Sequence, residues 1–179
     1  MLLLEVDGQE AAMADAVAAV QAAAGGPGLL AFDVADRDLS LEELWAARRA
    51  LSPALRTLAP KKINEDVVVP VSRLPELIAG LEALGAEHGI RIVNFGHAGN
   101  GNIHVNLLAD HRDPGQMEAA RRCLDRVFDL VLALGGTLSG EHGVGLEKRD
   151  FVARELDPVA LALMRGIKRQ FDPRGILNP

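Results

Sequence analysis

Three of the chain's five histidines fall in two glycine-rich segments. The first is Gly96-His97-Ala98-Gly99-Asn100-Gly101-Asn102-Ile103-His104-Val105-Asn106, and the second is Ser139-Gly140-Glu141-His142-Gly143-Val144-Gly145. Two imidazoles and one carboxylate, with coordination positions left open, are the ligand set of many catalytic zinc sites. The same donors suit non-haem iron(II), so ligand type alone does not choose the metal. His97, His104 and Glu141 are therefore the candidate ligands. His142 is either a further ligand or, as a neutral imidazole beside whatever the ion holds, a general base. The competing structural readings are a cross-strand histidine pair on a wet sheet face and a polar loop at a helix entry. His88 and His111 lie near a helix end and in a polar turn, and read as solvated.

The spacing within the first segment predicts how its histidines meet. Asn-Gly is the strongest short hairpin signal, because both central residues of a type I′ turn need positive φ. A two-residue turn at Asn100-Gly101 would set Gly99 opposite Asn102, Ala98 opposite Ile103 and His97 opposite His104. Directly opposed residues on one face have Cβ atoms roughly 4.5–5.5 Å apart, close enough for two imidazoles to share an ion. Alternation along the strand then gives a polar row of His97, His104 and Asn106, backed by Ile103, Val105 and Leu107. Gly96, Gly99, Gly101, Gly140, Gly143 and Gly145 crowd these residues, as close approach of backbone to a ligand requires. Neither segment carries the Gly-Lys-Ser/Thr of a phosphate loop, and the first leads into a strand rather than a helix.

Several elements must position these segments. Leu2–Val6 and Leu29–Val34 read as short buried strands. Between them an Ala-rich helix over residues 9–24 is stopped by Gly25-Gly26-Pro27-Gly28. Ser40-Leu41-Glu42-Glu43 is a capping box opening a helix whose stripe carries Leu41, Leu44, Trp45, Arg48 and Leu51. Arg48 on that stripe reads either as a snorkelling side chain or as a cation aimed at a bound anion. Ser52-Pro53 kinks or restarts the helix. Glu65–Pro70 is a β-branched strand. Leu74, Leu77, Ile78, Leu81 and Leu84 give an amphipathic helix ending near Gly85 or Gly89. Ile90–Phe95 and Asn102–Leu108 form the hairpin. Asp113-Pro114 starts a helix to Gly135-Gly136, and Asp157-Pro158 starts a last one to about Phe171. Asp172-Pro173-Arg174-Gly175 turns the chain into an extended tail, Ile176–Pro179. The order implies an α+β fold: a mainly antiparallel sheet with helices on one face and ferredoxin-like elements.

Composition narrows the function classes. The chain has 179 residues, 49% of them hydrophobic, which suits one compact domain. A net charge of -6 with scattered Lys and Arg, and only 3% aromatic residues, argues against nucleic-acid binding. The single cysteine, Cys123, excludes an intramolecular disulfide and a thiolate zinc cluster. No apolar run reaches the ~18–20 residues of a membrane span. Met1-Leu2-Leu3-Leu4-Glu5 has no basic region and does not read as a signal peptide. A cytoplasmic protein is expected, held at the inner membrane only peripherally and through partner subunits.

The two glycine-rich segments, together with Phe171-Asp172-Pro173-Arg174-Gly175-Ile176-Leu177-Asn178-Pro179, resemble the C-terminal substrate domain of FAD-linked oxidases. That group includes the glycolate oxidase flavin subunit, FAD-dependent D-lactate dehydrogenases and D-2-hydroxyglutarate dehydrogenase. The resemblance extends over residues 1–179, and the family's N-terminal FAD-binding domain has no counterpart here. It implies a fragment or split gene product, inactive by itself, belonging to an oxidoreductase that moves a hydride from the α-carbon of a D-2-hydroxy acid to FAD. By position, it implies that His97, His104 and Glu141 hold a divalent metal, usually zinc, and that His142 is the base. Arg48 and Asn106 would meet the substrate, and Asn178 would lie close to the flavin. Asn100 stands where many members have Asp, at a turn position that tolerates either. The expected partners are a small 2-hydroxy acid, an FAD-binding domain in cis or trans, and a second copy of the chain as a homodimer. Two alternatives stand beside this: a stand-alone metal-dependent hydrolase using two His and one Glu, and a non-catalytic module paired with a separate flavin subunit.

Overall fold

The computed structural model describes residues 1–35 and 41–178. They divide into two compact units, Met1–Ala50 and Leu51–Pro179. In the first unit, helix α1 (Glu10–Ala24) forms over the Ala-rich stretch and ends where the Gly25 amide bonds the Ala22 carbonyl. Leu2–Val6 and Leu29–Val34, expected as strands, are irregular. Leu2, Leu4 and Leu30 are exposed. An isolated extended run gains nothing without a neighbouring strand to complete its ladder, and among the described residues none pairs with either. Helix α2 (Leu41–Ala54) starts where expected, although Ser40 of the capping box lies outside the described residues. Leu44, Trp45 and Arg48 are its half-buried positions in this unit, and Arg49 is exposed.

The second unit opens with the end of α2. The helix runs through Pro53, which cannot donate the bond to the carbonyl four residues back, and passes into a 3-10 turn at Leu55–Thr57. Strand β1 (Lys61–Val68), helix α3 (Leu74–His88), strands β2 (Arg91–His97) and β3 (Asn102–Ala109), and helix α4 (Pro114–Ala133) follow. The sheet order is β1-β3-β2, and both pairs are antiparallel. β1, α3 and β2 thus form a split β-α-β unit with β3 between its strands, the ferredoxin-like element expected. Thr137, after α4, makes an antiparallel bridge to Val68 on the outer edge of β1. Helices α5 (Val152–Glu155) and α6 (Pro158–Phe171) complete the unit; α5 was not foreseen.

Local chemistry places these boundaries. Gly89 takes a left-handed φ of 64° and closes α3. The Asp113 carboxylate accepts from the amides of Gly115 and Gln116 at 2.8 and 3.1 Å, and Pro114 fills the first helical position. One sheet face then packs on both helices. Leu77, Leu81 and Leu84 of α3 and Ala120, Leu124, Val127 and Phe128 of α4 join Val67, Ile103, Val105 and Leu107 in one core. Alternation turns Asp66, His97, Asn102, His104 and Asn106 to the opposite face.

The hairpin differs from the expected turn. Ala98–Asn100 form a 3-10 turn closed by Gly101 at φ 78°. His97 pairs with Asn102, and His104 pairs with Phe95. The loop therefore has four residues, 98–101, and the register is displaced by two. A single αL glycine after a helical turn satisfies the Asn-Gly pair without a type I′ turn. The two histidines are diagonal neighbours, still on one face because the displacement is even.

A Cβ added at Gly101 would strike the Val69 carbonyl oxygen, whereas one at Gly99 would meet nothing within 4 Å. Gly101→Ala is expected to destabilise the chain by more than about 1 kcal/mol. Gly99→Ala should stay within about 0.5 kcal/mol of the parent. Urea unfolding of the two variants measures the difference, and equal losses would contradict this account of the turn.

Candidate functional site

The face opposite the core collects the candidate ligands. Glu141 Oε1 lies 3.2 Å from His104 Nε2 and 3.8 Å from His97 Nε2. One donor atom from each of the three side chains lies within 4.8 Å of the others. The His97 and His104 rings meet edge to face at 5.7 Å. The His142 ring stacks on His104 at 5.2 Å and 20°. The four residues named from sequence therefore converge, with different exposure. The His104 side chain is 10% exposed, against 44% for His97 and 51% for Glu141. Burial pushes the His104 pKa down, against the pull of Glu141 and with help from His142 and His97. The imidazole is thereby held neutral, the form that ligates a metal. Two imidazoles and a carboxylate converging from a sheet and a loop are a donor set that fits a divalent ion.

Asp66 brings the loop to the sheet, and sequence reading had missed it. It sits on β1 directly across from His104 and is completely buried. Its Oδ2 accepts from three consecutive amides, Gly140 at 2.9 Å, Glu141 at 2.5 Å and His142 at 2.9 Å. Such a run of amides is an anion-binding nest, here filled by the protein's own carboxylate. Its Oδ1 accepts from Lys148 Nζ at 2.5 Å and lies 3.4 Å from His142 Nδ1. Lys148, also buried, donates to the Asp66 carbonyl at 2.9 Å and lies 3.5 Å from Glu65 Oε2. Burial alone would raise the Asp66 pKa. The bonds from Lys148 and from the His142 and Glu141 amides outweigh it and bring the group to about 2. For Glu65 burial prevails over Lys148, and its pKa rises. The only sequence signal for this cluster was two acidic residues inside an apolar strand.

Further contacts fix the loop's far end. Glu155 Oε2 accepts from the Leu138 amide at 2.9 Å. Phe151 packs on Phe128 of α4 with ring centroids 4.6 Å apart. Arg154 bonds Asp125 and Asp129 of α4 at 2.6 and 3.0 Å. Of the glycines, Gly140 is the close approach at the loop: a Cβ there would come within 2.7 Å of the Asn102 side-chain amide. Gly99, Gly143 and Gly145 face open space, so crowding does not account for them; positive φ values of 80° and 53° account for the last two.

Asn106 lies two residues along β3 from His104, on the same face. Its Nδ2 donates to the carbonyls of Val93 and His104 at 3.0 and 3.1 Å, which leaves Oδ1 as a buried acceptor without a partner. Asn102 Oδ1, His104 Nδ1 and Ser139 Oγ are also buried and unpartnered. Buried polar groups are ordinarily bonded, so four orphans in two glycine-rich segments mark an unusual surface. Arg48 belongs to the first unit, on the half-buried side of α2. Asn178 takes a left-handed φ of 47°, so the terminal segment is not fully extended. That segment is held at the end of α6, where Asp172 accepts from the Ile176 and Leu177 amides at 2.9 and 3.0 Å and from Lys168 at 2.6 Å. Cys123 is buried in the core, and burial raises its thiol to about 11, which removes it as a thiolate nucleophile.

The Asp66 shift fixes an acid dependence. A carboxylate whose folded pKa lies below its unfolded one stabilises the fold wherever it is ionised in both states. A fall from 3.8 to about 2 corresponds to roughly 2 kcal/mol, lost as the pH drops from about 4 through about 2. Chemical denaturation between pH 5 and pH 2, to about those limits, should show this loss in the parent chain. It should be smaller by roughly that amount in Asp66→Asn/Lys148→Met, which removes both charges of the buried pair and leaves Glu65, whose pKa burial already raises, without its lysine.

Comparison with known proteins gives a consistent result. Over residues 1–179 the sequence matches the family described as FAD linked oxidases, C-terminal domain. It is 38% identical over 136 residues to the glycolate oxidase subunit GlcD of Bacillus subtilis (strain 168), covering 76% of this chain and 29% of that protein. It is 33% identical over 180 residues to a probable mitochondrial D-lactate dehydrogenase of Danio rerio, covering 99% and 36%. Identity to the D-2-hydroxyglutarate dehydrogenase of Stutzerimonas stutzeri (strain A1501) is 35% over 143 residues, covering 78% and 30%. The chain thus spans about a third of the length of these curated relatives. With its α+β architecture, an antiparallel sheet carrying the first motif and a loop carrying the second, the chain belongs to the FAD linked oxidases, as their C-terminal domain.

Proposed function

We propose that this chain is the substrate- and metal-binding domain of an FAD-dependent D-2-hydroxy-acid dehydrogenase or oxidase of the glycolate or D-lactate type. The observation that carries the reading is the convergence of His97, His104 and Glu141 in a chain whose relatives are named for 2-hydroxy acids. These three side chains would hold a divalent ion, zinc in our reading. When bound, the ion would polarise the substrate's α-hydroxyl and FAD would accept the hydride, giving a 2-oxo acid.

The chain's own residues do the rest. His142, stacked on His104 and exposed enough to reach a ligand, takes the hydroxyl proton. Asn106, its amide nitrogen committed to two carbonyls, has one free acceptor for the substrate, an oxygen that is buried in this chain alone. Arg48 pairs with the substrate carboxylate, a partner its planar fork matches better than lysine would. Asn178 lies close to the flavin, which a companion domain binds. The apolar stripe of α6, with Val159, Leu163, Ile167 and Phe171 all exposed, suits covering by such a domain. No helix among the described residues is long and apolar enough to cross a membrane.

Elemental analysis of the purified chain should find a divalent metal that His97→Ala or His104→Ala removes; unchanged loading in both variants would refute the ligand assignment. In the protein that combines this chain with its FAD-binding domain, His142→Ala should lower kcat by about 10²-fold or more with little change in KM. Arg48→Ala should instead raise KM about 10- to 100-fold, the loss of a charge-assisted pair. Steady-state kinetics on D-lactate and glycolate separates the two outcomes.

A further inference from the structure

We infer that Asp66 is the positioning residue of this site: it holds Glu141 and His142 over the histidine face through three backbone amides, with Lys148 as its buried counter-charge. The inference rests on the proposed roles of Glu141 and His142 and adds to them the group that sets where they stand.

Glu141 cannot be placed by its own side chain, which is half exposed, nor by a regular element, since residues 139–145 are loop. What fixes it is its backbone. The Gly140, Glu141 and His142 amides converge on one carboxylate oxygen, which specifies the direction of three successive peptide planes. That carboxylate is anchored on β1, directly across from His104, so ligand loop and ligand strand share one reference point. Gly140 completes the fit, because its bare Cα lets the loop lie against the Asn102 amide. Lys148 supplies the cation without which a fully buried carboxylate would be costly, and it returns the loop to the same residue six positions after His142. The His142 side chain also stands near this carboxylate, with Nδ1 3.4 Å from Asp66 Oδ1.

A purely structural role predicts a weaker fold and nothing else; a positioning role predicts a folded protein with a displaced ligand. Asp66→Ala removes both oxygens, the one that accepts from the three loop amides and the one that accepts from Lys148. If that variant lacks a cooperative melt, Asp66→Ala/Lys148→Met takes its place, since it strands no ammonium. Two readouts are made on the folded variant. Amide hydrogen exchange at Gly140, Glu141 and His142 should lose protection while β3 amides keep theirs. Titration with Co²⁺, followed by its visible absorption, should show affinity reduced about 10- to 100-fold, the usual effect of losing a residue that orients a ligand. Retained protection of the three amides would overturn the inference, and so would unaltered Co²⁺ affinity in a variant that has lost it. Failure of the parent chain to bind Co²⁺ would instead remove the metal reading, and the exchange result would still decide whether Asp66 sets the loop.

Discussion

A single buried carboxylate joins the two halves of this site. Asp66 stands on a strand whose other residues make core and sheet, yet its side chain is saturated by a loop that begins 74 positions later. The exchange is mutual. Three amides that would otherwise face into the protein without partners find one acceptor, and a carboxylate that could not remain charged alone in the interior finds three donors and a lysine. Neither the loop's conformation nor the ionisation of Asp66 is tenable without the other. Removing one partner therefore costs more than the bonds it makes, since the remainder is left buried and unsatisfied.

The rest of the site inherits its geometry from that junction. His104 lies across from Asp66 in the β1–β3 register, under the His142 ring. Its burial keeps it neutral, while His97 at the hairpin's exposed end and Glu141 at the loop's edge stay accessible. A donor set with one buried and two exposed members leaves an open side. The unbonded oxygens of Asn102 and Asn106 belong to the same strand, and a sheet can present such a row because alternate residues are held on one face by the ladder itself.

How much of this was legible in the sequence follows from how local each cause is. The caps at Asp113 and Asp157, the glycine stop after α3 and the apolar stripes of α3 and α4 depend on residues within a few positions, and each element stands where its pattern implied. The irregular segments 2–6 and 29–34 show the limit of the same logic: apolar character marks β propensity, but a strand exists only if another segment supplies its ladder. Asp66 and Lys148 were illegible for a stronger reason. Their meaning is a contact across more than seventy residues, and an acidic pair in a β-branched run gives no indication of which amides it will meet.

The hairpin shows why a wrong register still gave the right residues. Parity survives any even displacement, so the four-residue loop kept both histidines on one face while moving them from opposed to diagonal. In the diagonal arrangement the rings meet edge to face, and the Glu141 carboxylate enters between their nitrogens, at 3.2 Å from one and 3.8 Å from the other. The turn that makes this possible needs Gly101 in a left-handed conformation beneath the Val69 carbonyl. The glycine's role is thus to set the spacing of two side chains on either side of it, and through them the width of the opening that the Glu141 side chain enters.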